Sequence, residues 1–426
     1  MRILHTSDWH LGRTLEGHSR IPEQVEFLDE LCDILDEEKI DLVLIAGDVY
    51  DTYNPPAGAE QLFFSALERL SANGRRAVVA IAGNHDSPDR LKAAQPLASK
   101  QGIFLLGFPG EDLPQKTNPG PALNEVAAAG QFSFPGEQAY IVQGGPGWLE
   151  IAVPGCREHA VLVTLPYPSE QRLNQVLSDS LEEQAMQKAY SERVALALAQ
   201  GAAFFREDTV NLVVSHLYVL GGHTSDSERD IQLGGAYVVE PAALPANAHY
   251  VALGHLHRPQ RVGGSPVPCR YSGSPLCYSF SETDQQKEVV VVEVTPGQDV
   301  KIWSRKLTSG KPMLLKRFKS YQEAYEWCAA PENKEAWVYL EIESPEPLSG
   351  VELDQLNKAH PGIIFRRVIL PGSSNREEGE RLSQLSLEEK FRMFVARETG
   401  NAPDDELVTL FLELAGGGEG DETNPS

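Results

Sequence analysis

Apolar and polar positions in the first hundred residues alternate between two periods. Arg2 to Thr6 is a short strand-like run. From Pro22 to Lys39 the apolar residues Val25, Leu28, Leu31, Ile34 and Leu35 recur close to helical spacing, which predicts a helix. Asp41 to Ala46 is almost wholly apolar, as a strand buried on both faces would be. Ala57 to Ala72 returns to the helical period, with Leu62, Ala66, Leu67 and Leu70 on one stripe, and Ala77 to Ala82 is a second buried strand. This β-α-β-α-β order predicts a parallel sheet with helices on its faces.

Further on the pattern loosens. Residues 107–159 are dense in glycine and proline (Phe108-Pro109-Gly110, Asn118-Pro119-Gly120-Pro121, Gly144-Gly145-Pro146-Gly147) and read as an irregular, hairpin-containing insertion. Strands are predicted at Ala160 to Leu165, Thr209 to Ser215 and Tyr250 to Leu253, and a long helix at Gln184 to Phe205. Glu288 to Val294 and Val300 to Arg305 read as a closing antiparallel pair. From about Lys311 a small α+β unit is predicted, with strands at Met313 to Phe318, Ala336 to Ile342 and Ile363 to Leu370 and helices at Tyr321 to Ala330 and Val351 to His360. A linker, Pro371 to Asn375, leads to two amphipathic helices. The first opens on a capping box, Ser386 to Glu389, and carries the stripe Leu387, Phe391, Phe394 and Val395; the second carries Leu407, Leu410, Phe411 and Leu414. Two short helices so far from a core read as a docking element for another chain. The expected division is therefore 1–307 as the main domain, 308–371 as the α+β domain, 372–415 as linker and docking helices, and 416–426 as a disordered acidic tail.

Composition narrows the function classes. The apolar fraction of 41% and charged fraction of 23% over 426 residues are those of a chain that buries real cores. No stretch approaches the ~18 uninterrupted apolar residues of a spanning helix, so no membrane association is expected. The N-terminus lacks the apolar core and cleavage site of a signal peptide. The five cysteines (Cys32, Cys156, Cys269, Cys277 and Cys328) include no Cys-x-x-Cys pair and read as reduced cytosolic thiols. A formal net charge of −24 argues against coating nucleic acid by bulk charge. Nucleic acid can still be a substrate if basic patches, divalent cations or a basic partner supply the attraction.

The candidate chemistry lies in five segments: Asp8-Trp9-His10, Gly47-Asp48-Val49-Tyr50-Asp51, Gly83-Asn84-His85-Asp86, Ser215-His216 and Gly254-His255-Leu256-His257. Each directly follows an apolar strand-like run, and strand carboxyl ends form the ligand crevice of an open α/β sheet. Carboxylates, an amide oxygen and imidazoles suit a pair of divalent metals of the Mn, Fe or Zn kind better than Mg or Ca. The glycines before Asp48, Asn84 and His255 permit turns and close backbone approach. Taken singly each segment is unspecific, since a Gly-Asp after a strand is commonly only a turn or cap. All five together, in this order, are hard to explain by chance.

The set resembles the calcineurin-like metallophosphoesterase superfamily. More narrowly, His5-Thr6-Ser7-Asp8-Trp9-His10-Leu11-Gly12, Gly47 to Asp51, Ala82-Gly83-Asn84-His85-Asp86-Ser87 and Ala252 to Arg258 resemble the nuclease subunits of SbcCD-type double-strand-break complexes. Tyr271-Ser272-Gly273-Ser274-Pro275 and Leu385 to Phe391 fit that subfamily too. The likeness is weakest over 107–159.

The resemblance implies an α/β fold: a four-layer metallophosphoesterase β-sandwich flanked by helices, with a small α+β capping domain and C-terminal helices. It implies one metal held by Asp8, His10, Asp48 and His257 and another by Asp48, Asn84, His216 and His255, with Mn2+ the expected ion and Asp48 bridging. His85 would act on the leaving oxygen. Asp86 would orient its imidazole, unless it merely caps a helix. Asp51 reads as a supporting residue or a cap rather than a ligand. His5 reads as core or as support for the site; His18 and His223 lie in loops near the motifs, where substrate contact is open; Trp9 reads as packing over the site. His159, His249 and His360 carry no functional argument.

DNA contacts are expected from Arg13, Arg20, Arg258, Lys316 and Arg317, with Lys311, Lys319, Arg366 and Arg367 adding to the basic residues of the capping domain. The implied function is a metal-dependent DNA nuclease with 3′→5′ exonuclease action on duplex ends and endonuclease action on single strands. It would work as a homodimer within a heterotetramer, bound through its C-terminal helices to an SbcC-like, SMC-type ATPase, in the cytoplasm at the nucleoid. The alternative is a phosphoesterase acting on nucleotides or small phosphodiesters; a catalytically dead scaffold is disfavoured because every implied ligand is intact.

Overall fold

The computed structural model describes residues 1–111, 138–173, 183–228 and 237–370, together with 390–392, 395, 407, 408 and 411. The linker and most of the two C-terminal helices lie outside the described residues, as does the acidic tail. The chain divides into two compact units, one of 1–316, 330–339 and 360–365, the other of 317–329, 340–359 and 366–426.

The first unit is built on two sheets. One has six strands in the spatial order Lys301–Lys306, Glu288–Glu293, Arg2–Thr6, Leu42–Ala46, Ala77–Ile81 and Ile103–Leu106. Its last four strands are parallel, and the closing pair 288–293 and 301–306 is antiparallel, as the sequence pattern predicts. The other has seven strands in the order Gln260–Arg261, Cys269–Tyr271, Tyr250–Gly254, Val210–His216, Ala160–Leu165, Trp148–Ala152 and Tyr140–Gly145.

Successive strand residues point to opposite faces, and here both faces are dry. Ile3, Leu44, Val79 and Ile81 of the first sheet meet Ile151, Leu162, Leu212 and Val214 of the second. The alternate residues Leu4, Val43, Ile45 and Val78 pack under helices Ile21–Glu37 and Ala57–Ser71 through Phe27, Leu31, Phe63 and Leu67. On the far side Val163, Val213, Val251 and Leu253 pack against Tyr190, Val194 and Leu198 of helix Glu183–Ala202. The layers run helix, sheet, sheet, helix. Each sheet thus has helices on one face only, its other face being the second sheet; a strand between helix and sheet is as apolar as one between two helix layers.

The structure adds to the expected pattern in several places, among them the short strands Gln260–Arg261 and Cys269–Tyr271 at the end of the seven-stranded sheet. Ile103–Leu106 is a further parallel strand beside Ala77–Ile81. The stretch 107–159 is not wholly an insertion: Tyr140–Gly145 and Trp148–Ala152 form an antiparallel hairpin that continues the seven-stranded sheet through Ala160–Leu165. Residues 112–137 lie outside the description.

Strands Met313–Phe318, Trp337–Glu343 and Ile363–Ile369 form a three-stranded sheet in that order. Within the second unit helices Tyr321–Ala329 and Gly350–Ala359 pack on each other, and the rings of Phe391 and Phe411 stack with centroids 3.9 Å apart. Among the described residues no helix is long and apolar enough to cross a membrane.

Candidate metal centre

Parallel strands end on one side, so the loops after Thr6, Ala46 and Ile81 open together at one edge of the six-stranded sheet. His216 and the loop after Gly254 open at the corresponding edge of the other sheet. Backbone bonds zip the loops: Asp8 N donates to Gly47 O at 3.0 Å, His10 N to Asp48 O at 3.0 Å and Leu11 N to Val49 O at 2.8 Å. The loops turn so sharply that Asp8, His10, Asp48 and His255 take φ of 53°, 46°, 48° and 111°. Such left-handed conformations in non-glycine residues are costly, persist only where surroundings enforce them, and gather at functional sites. Two glycines are demanded by contact: a Cβ on Gly83 would collide with the Asp48 carboxylate, and one on Gly254 with Ala46 O.

These turns bring all seven residues that the sequence singles out as ligands into one region. Asp8, His10 and His257 each present a donor atom, all within 4.8 Å of one another, and so do Asp48, His216 and His255. Every one of these six side chains is buried. His10 Nε2 lies 3.0 Å from His257 Nε2 and 3.8 Å from Asp48 Oδ2. His216 Nε2 lies 3.4 Å from Asp48 Oδ2 and 2.9 Å from Asn84 Oδ1. Asp48 therefore stands between the two groups.

The donor set fits divalent cations on this geometry. Burial without water penalises each of these groups in its charged form, and their pKa values scatter accordingly. Burial drives His10 down to about 3, the pull of Asp51 and Asp48 notwithstanding. Burial raises Asp8 to about 6 against the attraction of His216 and His257. His216 moves up to about 9: burial opposes its charge, and the Asp48 carboxylate overcomes that. His255 is held well below the usual imidazole range by burial and by the His216 charge, and its buried Nδ1 has no hydrogen-bond partner among the described residues. A buried, neutral imidazole with an unpaired ring nitrogen beside carboxylates is the form in which histidine binds metal.

His85 sits beside this cluster, its ring edge-on to His10 with centroids 4.8 Å apart. Its Nδ1 is 2.7 Å from the carbonyl of Asp51. A carbonyl only accepts, so Nδ1 carries the proton and Nε2 is the ring's other working atom. The expected bond from Asp86 to this imidazole is not the one the structure makes. The Asp86 carboxylate instead accepts the backbone amides of Gly83, Tyr50 and Val49 at 2.8, 2.9 and 3.1 Å, pinning two loops together. Asp51 takes the orienting role through its carbonyl, while its carboxylate lies 3.4 Å from His10 Nδ1 and 3.2 Å from Arg13.

Of the arginines expected at DNA, Arg20 is displaced from that part. It is 1% exposed, locked to Glu23 by bonds of 2.6 and 2.9 Å, and bonded to Cys277 O. Arg13 lies partly open over the Tyr278 ring, and Arg258 is exposed, 3.9 Å from Asp284. Arg317 is exposed and paired with Glu343; Lys316 is half-buried. His5 is core: it is buried between the Tyr250 hydroxyl and Leu253 O, and burial lowers it to about 3. Trp9 is fully buried against Phe27 and Phe63, which leaves its ring no face open for stacking on a base. His18 packs on Trp337, and His223 is tied to Gln260 through its backbone.

Four residues that support the site have no motif to announce them. Arg172, in the short helix Glu170–Leu173, donates to Gly83 O and Asp86 O, both at 2.7 Å, clamping the loop of Asn84 and His85. Tyr278 presents its ring to His10 and His257. Ser227 and Glu282 lie behind His257. All four sit in loops or short helices, where sequence periodicity carries no signal.

A family model described as calcineurin-like phosphoesterase matches residues 1–259, and the chain belongs to that family. It is 44% identical over 421 residues to the SbcD subunit of the SbcCD nuclease from Bacillus subtilis (strain 168), covering 98% of this chain and 99% of that one. It is 35% identical over 309 residues to the protein of the same name from Rhodobacter capsulatus, covering 70% of this chain and 67% of that one. Within the family, then, the chain is a member of the SbcD group. A crystal structure of a dimetal phosphatase from Danio rerio aligns over 72% of this chain and 96% of its own at 11% identity with a TM-score of 0.37.

Proposed function

We propose that this chain is the nuclease subunit of an SbcCD-type complex and hydrolyses phosphodiester bonds in DNA with two divalent cations, manganese foremost. The observation that carries the reading is the convergence of Asp8, His10 and His257 beside Asp48, His216 and His255, buried at one sheet edge. Asp8, His10, Asp48 and His257 would hold one ion; Asp48, Asn84, His216 and His255 would hold the other. Bound there, the ions supply Lewis acidity toward the scissile phosphate and acidify water near neutral pH.

The chain's own groups do the rest. Asp51 O keeps the His85 proton on Nδ1, so a second proton on Nε2 makes His85 a donor to the leaving oxygen. Arg172 and Asp86 hold the backbone on either side of His85, and Asp48 accepts its amide, so that its ring meets the substrate in one place. Arg13 and Arg258 are suited to phosphates at the rim, and Arg317 and Lys316 to the duplex farther out. Identity to the Bacillus relative runs well past residue 259, where the phosphoesterase match stops, and this favours a nuclease subunit over an enzyme for small phosphodiesters. The same continuity supports docking of an SbcC-type ATPase on the C-terminal helices, a homodimer within a heterotetramer, double- and single-stranded DNA as substrate, and a place at the nucleoid.

The test is blunt duplex DNA incubated with the purified chain, with and without manganese, then with ATP and an SbcC-type ATPase. Manganese-dependent shortening of the duplex is expected. A purified chain that binds manganese but cleaves only small phosphodiesters, with or without the ATPase, would overturn the proposal.

A further inference from the structure

We infer that Ser227, Glu282 and Lys287 form a proton-directing relay that fixes His257 with a bare Nε2 for the cation; the inference rests on the two-metal reading above. It follows from counting donors along one chain of contacts. Lys287 Nζ is buried and lies 2.6 Å from Glu282 Oε2, 2.9 Å from Ser274 Oγ, 2.9 Å from His257 O and 3.1 Å from Gln285 Oε1. An ammonium can only donate, so it saturates one side of Glu282 and keeps that carboxylate an acceptor. The other Glu282 oxygen meets the Ser227 hydroxyl, which must donate to it. The Ser227 oxygen then has only lone pairs left for its next neighbour, His257 Nδ1, 2.5 Å away. Nδ1 must therefore carry the imidazole proton, and Nε2 is left without one.

That Nε2 is the atom 3.0 Å from His10 Nε2, on the side of the ring that faces Asp8. The ring is held from behind as well: His257 N donates to Glu228 Oε1 at 2.7 Å and its carbonyl receives Lys287. His216 gets its orientation more simply, from the carbonyl of Ala46 at 2.9 Å from its Nδ1. Among the described residues no backbone carbonyl meets His257 Nδ1, and the relay takes its place. A buried ion pair adds little net stability over an apolar pair of the same size, so a pair placed behind a ligand has a positioning role. Outer partners of ligating histidines typically alter metal affinity by about 10–100-fold.

The test is manganese binding to the full chain, followed by equilibrium dialysis with metal analysis and by the electron paramagnetic resonance of the bound ions. The wild type is expected to bind two ions. Ser227→Ala is expected to weaken one of them by about 10–100-fold and spare the other, and Ser227→Thr, which keeps the hydroxyl, to restore it. If a thermal melt shows Ser227→Ala unfolded, the double variant Glu282→Gln with Lys287→Met, neutral and of similar volume, carries the same test and is expected to weaken the same ion. Two ions bound at wild-type affinity by a folded relay variant would overturn the relay alone. A wild type that binds none would overturn the metal reading itself.

Discussion

At the scale of single residues the proposed site would separate holding metal from acting on substrate. Asp48 is the shared neighbour of both donor groups and also accepts His85 N at 2.9 Å. Asp48→Ala is expected to empty or scramble both metal positions, read as manganese bound per chain; manganese-dependent cleavage at wild-type rate would contradict it. His85 touches the cluster only through its ring edge, and its own Nδ1 is spent on Asp51 O. His85→Ala is therefore expected to keep both ions and lower kcat by about 10²–10⁴-fold, the range for loss of a positioned acid. Loss of an ion in that variant would make His85 a ligand instead. The convergence of the proposed ligands is legible in the sequence because each follows an apolar strand, so a local pattern locates it. Arg20 misleads for the same reason: it flanks a motif in sequence, but its side chain turns inward to Glu23, a pairing three residues apart on a helix start that proximity to the motif conceals. Asp86 misleads because two of the three backbone amides it binds come from a different loop.

Elements fail or hold as units, and the edge hairpin shows how. Glu150 lies on strand Trp148–Ala152, buried, with Arg206 at 2.8 and 3.0 Å, Gln143 at 2.6 Å and His159 at 2.8 Å. Burial pushes this carboxyl up, but the bonds from Arg206, Gln143 and His159 outweigh it and bring it down from 4.5 to about 2. A carboxyl depressed on folding adds stability that is complete above its unfolded pKa and fades as pH falls toward its folded one. Glu150→Gln is thus expected to be less stable than wild type at pH 7. The gap should narrow steadily below about pH 4.5, as urea melts at stepped pH would record; a gap constant from pH 7 to 3 would refute the assignment. The sequence marks a hairpin within 107–159 but hides its strands and their place in the seven-stranded sheet, because Gly144 to Gly147, its turn, belongs to a long run of glycine and proline that reads as irregular. Strand Ile103–Leu106 is hidden because it is four residues long, too short for a period to show. Longer runs, such as Ala160–Leu165 and Ile21–Glu37, are legible nearly to the residue, because burial of one stripe or two faces dictates their spacing.

For the whole molecule the governing fact is charge. A chain with a net −24 repels a polyanion at long range, so its attraction to DNA must be local or borrowed. Of the arginines nearest the motifs, Arg20 is spent inside and Arg13 is already bonded to Asp51. Borrowing from an ATPase therefore fits the electrostatics as well as the amphipathic stripes of the C-terminal helices, whose Phe391 and Phe411 stack on each other while Leu407 stays exposed. Ending the chain at Asn375 is then expected to leave the metal centre intact, because every donor lies between Asp8 and His257. Manganese-dependent cleavage of short single strands should persist at the rate of the full chain. Recovery of an SbcC-type ATPase in a pull-down should fall to background, and with it the ATP-stimulated cleavage of long duplexes. Undiminished recovery by the shortened chain would place the docking surface elsewhere, while loss of both activities together would mean that the helices support the nuclease fold rather than a partner.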